Sequence, residues 1–244
     1  MKSSGKLVIF DCDGTLVDSQ HMIIAAMQAT LSSAGLPAED DIRIRSTVGL
    51  SVREAIAALR PDEKEDALVE LATIFKREFY RLRVEEAASP DPLYAGTREI
   101  LGQLRESGFI LGVATGNSRR GLDRVIEEHN LEGFFTTLQT ADGHPSKPHP
   151  SMIQTAALEA GVDPEACIMV GDTSYDMMMA RSAGSLAVGV RWGYHSAHEL
   201  SQGGAHHLLD AFDQLAPIAT GHGTVEPGKA AELEKAAEPG RTDG

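Results

Sequence analysis

Hydrophobic and polar positions follow two different periods along this chain, and the change of period divides it. Near the N-terminus, Leu7-Val8-Ile9-Phe10 is an unbroken apolar run with two β-branched members, which predicts a buried strand over 6–10. From 22 to 34 the spacing turns helical, with Ile23, Met27, Leu31 and Ala34 recurring on one face. Asp18 and Ser19 are placed to cap that helix, and Gly35 with Pro37 ends it. Ser51-Val52-Arg53-Glu54 fits a capping box opening a second helix to about Leu59. Pro61-Asp62 opens a third, in which Leu68, Leu71, Phe75, Phe79 and Leu82 form the apolar face. Residues 19–84 therefore read as almost purely helical, until Ser89-Pro90-Asp91-Pro92 breaks the chain.

Beyond the break the periods alternate. Helices are predicted over 96–107, 118–129, 149–160 and 173–183, and strands over 109–114, 134–138, 167–170 and 186–190. Such alternation implies an α/β class, a Rossmann-like parallel sheet with helices on both faces. The helical stretch is then an insertion after the first strand. The expected division is a core domain of 1–18 and 86–217, a small α-helical domain of 19–85 and a disordered tail of 218–244. The tail is rich in Gly, Ala, Glu and Lys from about Thr220 and has no aromatic residue. The connections near 16–19 and 85–92 are expected to act as hinges.

Composition narrows the function. No apolar run approaches the roughly 18–20 residues of a membrane span, and the N-terminus has no signal-peptide core. The two cysteines, Cys12 and Cys167, are too few for a disulfide framework, so the cytoplasm is the expected compartment. Thirty-six acidic against 22 basic residues give a net charge of −14, which argues against nucleic acid as a partner. An anionic substrate would require local cations to reverse that field.

Four groups of polar residues fall at predicted strand ends, where open α/β sheets bind ligands. Asp11 and Asp13, in Asp11-Cys12-Asp13-Gly14-Thr15, are suited to attack on phosphorus, metal binding or proton transfer. Thr115-Gly116-Asn117-Ser118 sets a hydroxyl beside the amides of a helix start, an anion cradle. Lys147, between Ser146 and Pro148, is a cation for a phosphate or a carboxylate. In Gly171-Asp172-Thr173-Ser174-Tyr175-Asp176 the two aspartates lie one helical turn apart. With Asp11 and Asp13 they make a hard oxygen site that fits Mg²⁺. Taken singly, each group also has a plain reading as a turn, a helix cap or a solvated loop.

Together, in this order, the four motifs resemble the haloacid dehalogenase superfamily, over about residues 6–213. The helical insertion resembles its subgroup with a small helical cap. Asp-x-Asp-Gly-Thr-Leu-Val-Asp-Ser, Gly-Asp-Thr-x-x-Asp and the segments Gly116–Asn130 and Trp192-Gly193-Tyr194-His195 are similar to the phosphoglycolate-phosphatase-like branch. The resemblance implies that Asp11 attacks the phosphoryl group and that Asp13 serves as acid and then base. It implies Mg²⁺ held by Asp11, the backbone carbonyl of Asp13 and Asp172, with Asp176 supporting the metal's water shell or Lys147. Thr115 and the amides of Gly116 and Asn117 would hold the phosphoryl oxygens, and Lys147 would neutralise charge.

Substrate choice is expected in the insertion, where Arg45 and Arg53 flank Val48-Gly49-Leu50-Ser51 and would bind the leaving group. Arg119 and Arg120 follow the phosphate loop with the same ambiguity between surface and site. His144, His149, His195, His198, His206 and His207 are expected to be structural or exposed, as is His21. The expected function is a Mg²⁺-dependent phosphatase for a small phosphorylated metabolite, with 2-phosphoglycolate as the best candidate. A sugar-phosphate mutase and a pyrophosphatase remain open. A dehalogenase needs neither a metal nor a second acid/base group, so Asp13, Asp172 and Asp176 argue against it. A phosphate-sensing or scaffold module would have lost Asp11, Asp13 or Lys147, and none is lost.

Overall fold

The computed structural model describes residues 6–85 and 89–222. The first apolar run is β1 (Leu7–Phe10), and each of its side chains is fully buried. Val8 and Phe10 enter one core while Leu7 and Ile9 enter another. The run has no polar face because both faces of the strand are covered. The chain then leaves the sheet for α1 (Gln20–Ser33), α2 (Asp41–Ser46), α3 (Val52–Leu59) and α4 (Glu65–Tyr80), with a π-helical turn at Arg81–Glu85. Met27, Ile44, Ile56, Leu68, Leu71 and Phe75 give these helices a core of their own.

The remainder alternates as α5 (Thr97–Glu106), β2 (Ile110–Thr115), α6 (Arg119–Glu128), β3 (Thr137–Thr140), α7 (Ser151–Ala160), β4 (Cys167–Gly171), α8 (Ser174–Ala183), β5 (Leu186–Val190), α9 (Ala197–Gln202), β6 (His207–Leu209) and α10 (Leu215–Gly221). The six strands are parallel, in the order β3-β2-β1-β4-β5-β6. Side chains of α5, α6 and α10 cover one face, and those of α7, α8 and α9 the other. The order reverses between β1 and β4, and a crevice outside the strand ends at such a point is where these sheets bind ligands. The connections to the insertion run side by side there. Asp18 N donates to Pro92 O at 2.9 Å and Tyr94 N to Leu16 O at 3.0 Å.

Several boundaries differ from the sequence-based expectation. α2 was not anticipated, because six residues are too few to display a helical period. α4 begins at Glu65 rather than at Pro61-Asp62, which form a turn. β3 lies C-terminal to the predicted 134–138, because Phe134 and Phe135 pack against the core from the preceding loop. The three-residue β6 and the helices α9 and α10 were also missed. α10 corrects the tail: Leu215 and Ala219 are buried, and Lys6 Nζ donates to the carbonyls of Ala219 and Thr220. Ordered chain thus continues past 217 to His222, and the rest of the expected tail lies outside the described residues. Among the described residues, no helix is long and apolar enough to cross a membrane.

Candidate active site

The strand ends of β1, β2 and β4 bring the polar motifs together. Asp11 follows β1 and is held by its own amide, which donates to Val170 O at 2.9 Å. Its Oδ1 accepts from Cys12 N at 2.7 Å and lies 2.9 Å from Lys147 Nζ. Its Oδ2 is buried without a hydrogen-bond partner. Lys147 Nζ also lies 2.7 Å from Asp176 Oδ1. Both Lys147 contacts are close ion pairs rather than well-aligned hydrogen bonds. All three side chains are withdrawn from solvent.

Asp176 is fixed by a reciprocal cap at the start of α8, its Oδ2 accepting from Thr173 N and Oγ1 at 3.1 and 2.7 Å. Asp172 does not cap that helix, because Thr173 does. Asp172 Oδ1 accepts from Thr15 Oγ1 at 2.8 Å, and its Oδ2 from Tyr194 N at 2.9 Å. The chain reaches Asp172 this closely through Gly14, at φ +86, where a Cβ would stand 2.3 Å from Asp172 Oδ2.

One oxygen from each of Asp11, Asp172 and Asp176 lies within 4.8 Å of the others. Three buried carboxylates against one lysine leave an excess of negative charge. Burial, then Asp176, raises Asp172 to about 7. Burial likewise raises Asp11, opposed by Lys147 and reinforced by Asp176 and Asp172. Burial alone would lower Lys147, but Asp11 and Asp176 more than offset it and keep the ammonium charged. The uncompensated charge and the three converging carboxylates fit a hard divalent cation, which prefers oxygen ligands.

Asp13 faces the cavity beside this cluster and is not part of it. Its Oδ1 accepts from Ser19 Oγ at 2.6 Å and its Oδ2 from Asn117 Nδ2 at 3.3 Å. Burial raises its carboxyl, and the Ser19 bond opposes that. A raised carboxyl keeps a proton available for transfer. Thr115 ends β2 and accepts from Asn117 N at 3.1 Å, while Ser118 caps α6 by accepting from Gly121 N. At Gly116 a Cβ would stand 2.5 Å from Leu50 O and 2.6 Å from Gly49 O, so the loop after β2 and the loop before α3 touch backbone to backbone.

The sequence signature of the haloacid dehalogenase-like hydrolases matches residues 8–190. The chain belongs to this family. It is 35% identical over 215 residues to a protein of Dickeya dadantii named probable phosphatase IndB, covering 87% of this chain and 93% of that protein. It is 29% identical over 218 residues to pyrophosphatase PpaX of Bacillus pumilus, covering 89% and 97%. A solved structure described as a predicted phosphoglycolate phosphatase from Haemophilus somnus superposes with a TM-score of 0.74 at 25% identity, covering 88% and 98%. The hydrolase is thus an enzyme whose relatives are named phosphatases.

The hydrolase brings Asp11, Asp13, Thr115, Gly116, Asn117 and Arg53 onto one cavity, and Lys147, Asp172 and Asp176 cluster around Asp11. Arg45 is not among the lining residues; it is half-buried and its charge is felt by Tyr94. Arg53 lines the cavity, but its guanidinium is taken by Glu65 at 2.8 and 2.6 Å and by Glu54 at 2.6 Å. Of the expected pair, Arg53 is therefore taken up by glutamates, while Arg45 keeps a buried Nε without a hydrogen-bond partner. Arg119 is exposed and paired with Asp123, whereas Arg120 and Arg124 line the cavity. His195 is structural: it accepts from Ser174 N at 3.0 Å and bonds Ser46 O of the insertion at 3.1 Å.

Sequence reasoning assigned Ser19 to capping α1, yet its hydroxyl makes no cap bond and serves Asp13 instead. Ser51 likewise makes no side-chain cap bond; its amide donates to Ser146 Oγ, next to Lys147. Thr15 and Tyr194 hold Asp172 through long-range bonds that no local spacing announces, whereas Thr173 and Asp176 stand at capping-box spacing. The Cys12 thiol is raised by burial, then by Asp13 and Asp11, and its side chain lies in the core.

Proposed function

We propose that the protein hydrolyses phosphomonoesters through a phospho-aspartate on Asp11, with a divalent cation, Mg²⁺, as cofactor. The observation that carries this reading is Asp11 itself: one oxygen is fastened by Cys12 N and Lys147, and the other is buried with no partner at the cavity floor. A carboxylate oriented by one oxygen and unpartnered at the other is arranged to attack.

Asp11 Oδ2 attacks phosphorus and the ester bond to the leaving oxygen breaks. Asp13 donates its proton to that oxygen, then takes a proton from the water that cleaves the acyl phosphate. Thr115 and the amides of Gly116 and Asn117 orient the phosphoryl oxygens, and Lys147 neutralises charge that accumulates there. Asp11 and Asp172 would hold the cation with the backbone carbonyl of Asp13, and Asp176 would support it while orienting Lys147. When bound, the cation supplies charge stabilisation to the transferring phosphoryl group. Phosphoglycolate remains the substrate suggested by family resemblance, although Arg53 is paired with Glu54 and Glu65.

Release of inorganic phosphate from a panel of phosphate esters with Mg²⁺ tests the reading. Asp11→Asn should abolish turnover with the fold intact, and Asp13→Asn should slow it by about 10²–10⁴-fold. EDTA should silence the enzyme, and Mg²⁺ should restore it. A tenth of wild-type activity in Asp11→Asn would exclude the covalent route.

A further inference from the structure

We propose that the chamber above Asp13 selects phosphomonoesters whose leaving group carries an aromatic ring, in preference to short charged ones. This deepens the phosphatase reading and rests on it. The cavity has a volume of about 570 Å³. Pockets of roughly 300–1,000 Å³ hold ligands of drug size. A two-carbon acid esterified at the floor would leave most of this space to water.

The chamber's far wall is apolar. Ile23 and Met27 of α1, Val52 of α3, and Phe75 and Phe79 of α4 line it. Water held against such a wall is displaced favourably by an apolar body of matching size. Two guanidinium–ring pairs also line the chamber. The guanidinium of Arg120 lies 5.0 Å from the Tyr80 ring centroid, and that of Arg124 lies 5.5 Å from that of Phe79. Each pair joins α6 of the sheet domain to α4 of the insertion. A ring in the leaving group would meet aromatic and guanidinium groups there, and both kinds of group interact favourably with a ring.

The cations that line the chamber include Arg53, Lys76, Arg120 and Arg124. Glu54 and Glu65 occupy the Arg53 guanidinium. Arg124 is half-buried, and its Nε lies 3.6 Å from Glu128 and completes no hydrogen bond. That N–H is a donor beside the rings, open to an acceptor on a ring substituent.

The test compares ethyl phosphate, phosphoglycolate and 2-phenylethyl phosphate with the full chain and Mg²⁺. Ethyl and phenylethyl esters both release a primary alkoxide, so the difference between them reads the chamber. Burial of the ring should raise kcat/KM by about ten- to a hundredfold over ethyl phosphate, and phosphoglycolate should fall below the phenylethyl ester. Ala72→Phe adds bulk to the chamber from α4, and should bring the phenylethyl-to-ethyl ratio close to one. Calorimetric binding of 2-phenylethylphosphonate and ethylphosphonate gives a second reading that needs no turnover, with the phenyl compound expected to bind more tightly. If both esters turn over with equal kcat/KM and the two phosphonates bind equally, the chamber has no such selectivity and the phosphatase reading stands. If no ester turns over while the phenyl phosphonate binds more tightly and Ala72→Phe abolishes the difference, the phosphatase reading fails and the aromatic selectivity stands. Phosphoglycolate turned over faster than the phenylethyl ester overturns the proposal.

Discussion

Ser19 occupies the position before α1, where a serine ordinarily caps the helix, yet its hydroxyl lies 2.6 Å from Asp13 Oδ1 and 3.3 Å from Tyr194 Oη. The helix forgoes its cap bond, and the carboxylate gains a donor. A hydrogen bond to the charged form of a carboxyl lowers its pKa, and here it opposes the upward push of burial. Removing it in Ser19→Ala should therefore raise Asp13 further. Because Asp13 must carry a proton to protonate the leaving group, kcat/KM falls as pH rises through its pKa. The alkaline limb of the Ser19→Ala profile should thus lie at higher pH than that of wild type, read across about pH 5–9. An unmoved limb would show that Ser19 does not tune this acid.

Between elements, the insertion meets the sheet domain through backbone groups as well as side chains. Ser46 O, at the end of α2, receives Tyr175 Oη at 3.3 Å and His195 Nε2 at 3.1 Å, both from segments after β4. Tyr175→Phe removes one of these bonds and leaves α8 capped by Thr173 and Asp176. A net hydrogen bond of about 0.5–1.5 kcal/mol favouring this arrangement should appear as a KM raised about two- to tenfold. Steady-state kinetics with a good ester checks this, and an unchanged KM would show that the contact does not bias the insertion. The elements themselves were legible to different degrees. β1 was readable because Leu7–Phe10 is apolar on both faces, and the carboxylates that follow it were readable because polar groups at a buried strand's end are costly. α2 and β6 were not, since six and three residues carry no period. Arg53 was read as a free cation because its partner Glu65 is twelve residues away, on the next helix.

For the whole molecule, charge is the governing quantity. The chain carries −14 overall and concentrates three carboxylates around Lys147. In the folded protein without metal Asp172 titrates at about 7, whereas in an unfolded chain an aspartate titrates near about 3.9. Between those values the folded state binds more protons than the unfolded one, so folding stability falls as pH rises through this window. Metal-free protein should therefore melt at a lower temperature at pH 7.5 than at pH 5.5. Mg²⁺ should raise the melting temperature, and more so at pH 7.5, where the carboxylates are ionised. Calorimetry with EDTA and with Mg²⁺ at both pH values decides this. A metal-free protein that gained stability over that interval would contradict the assignment of Asp172.

The backbone contact at Gly116 also has a bearing on inheritance. No side chain fits between the loop after β2 and the carbonyls of Gly49 and Leu50, whereas Gly102 and Gly143 have open space around their Cβ positions and no left-handed backbone to protect. A lineage free to drift at those two sites is not free at 116. Any change there would have to be matched by a shift in the chain at Gly49 and Leu50, so the two loops are bound to vary together or not at all.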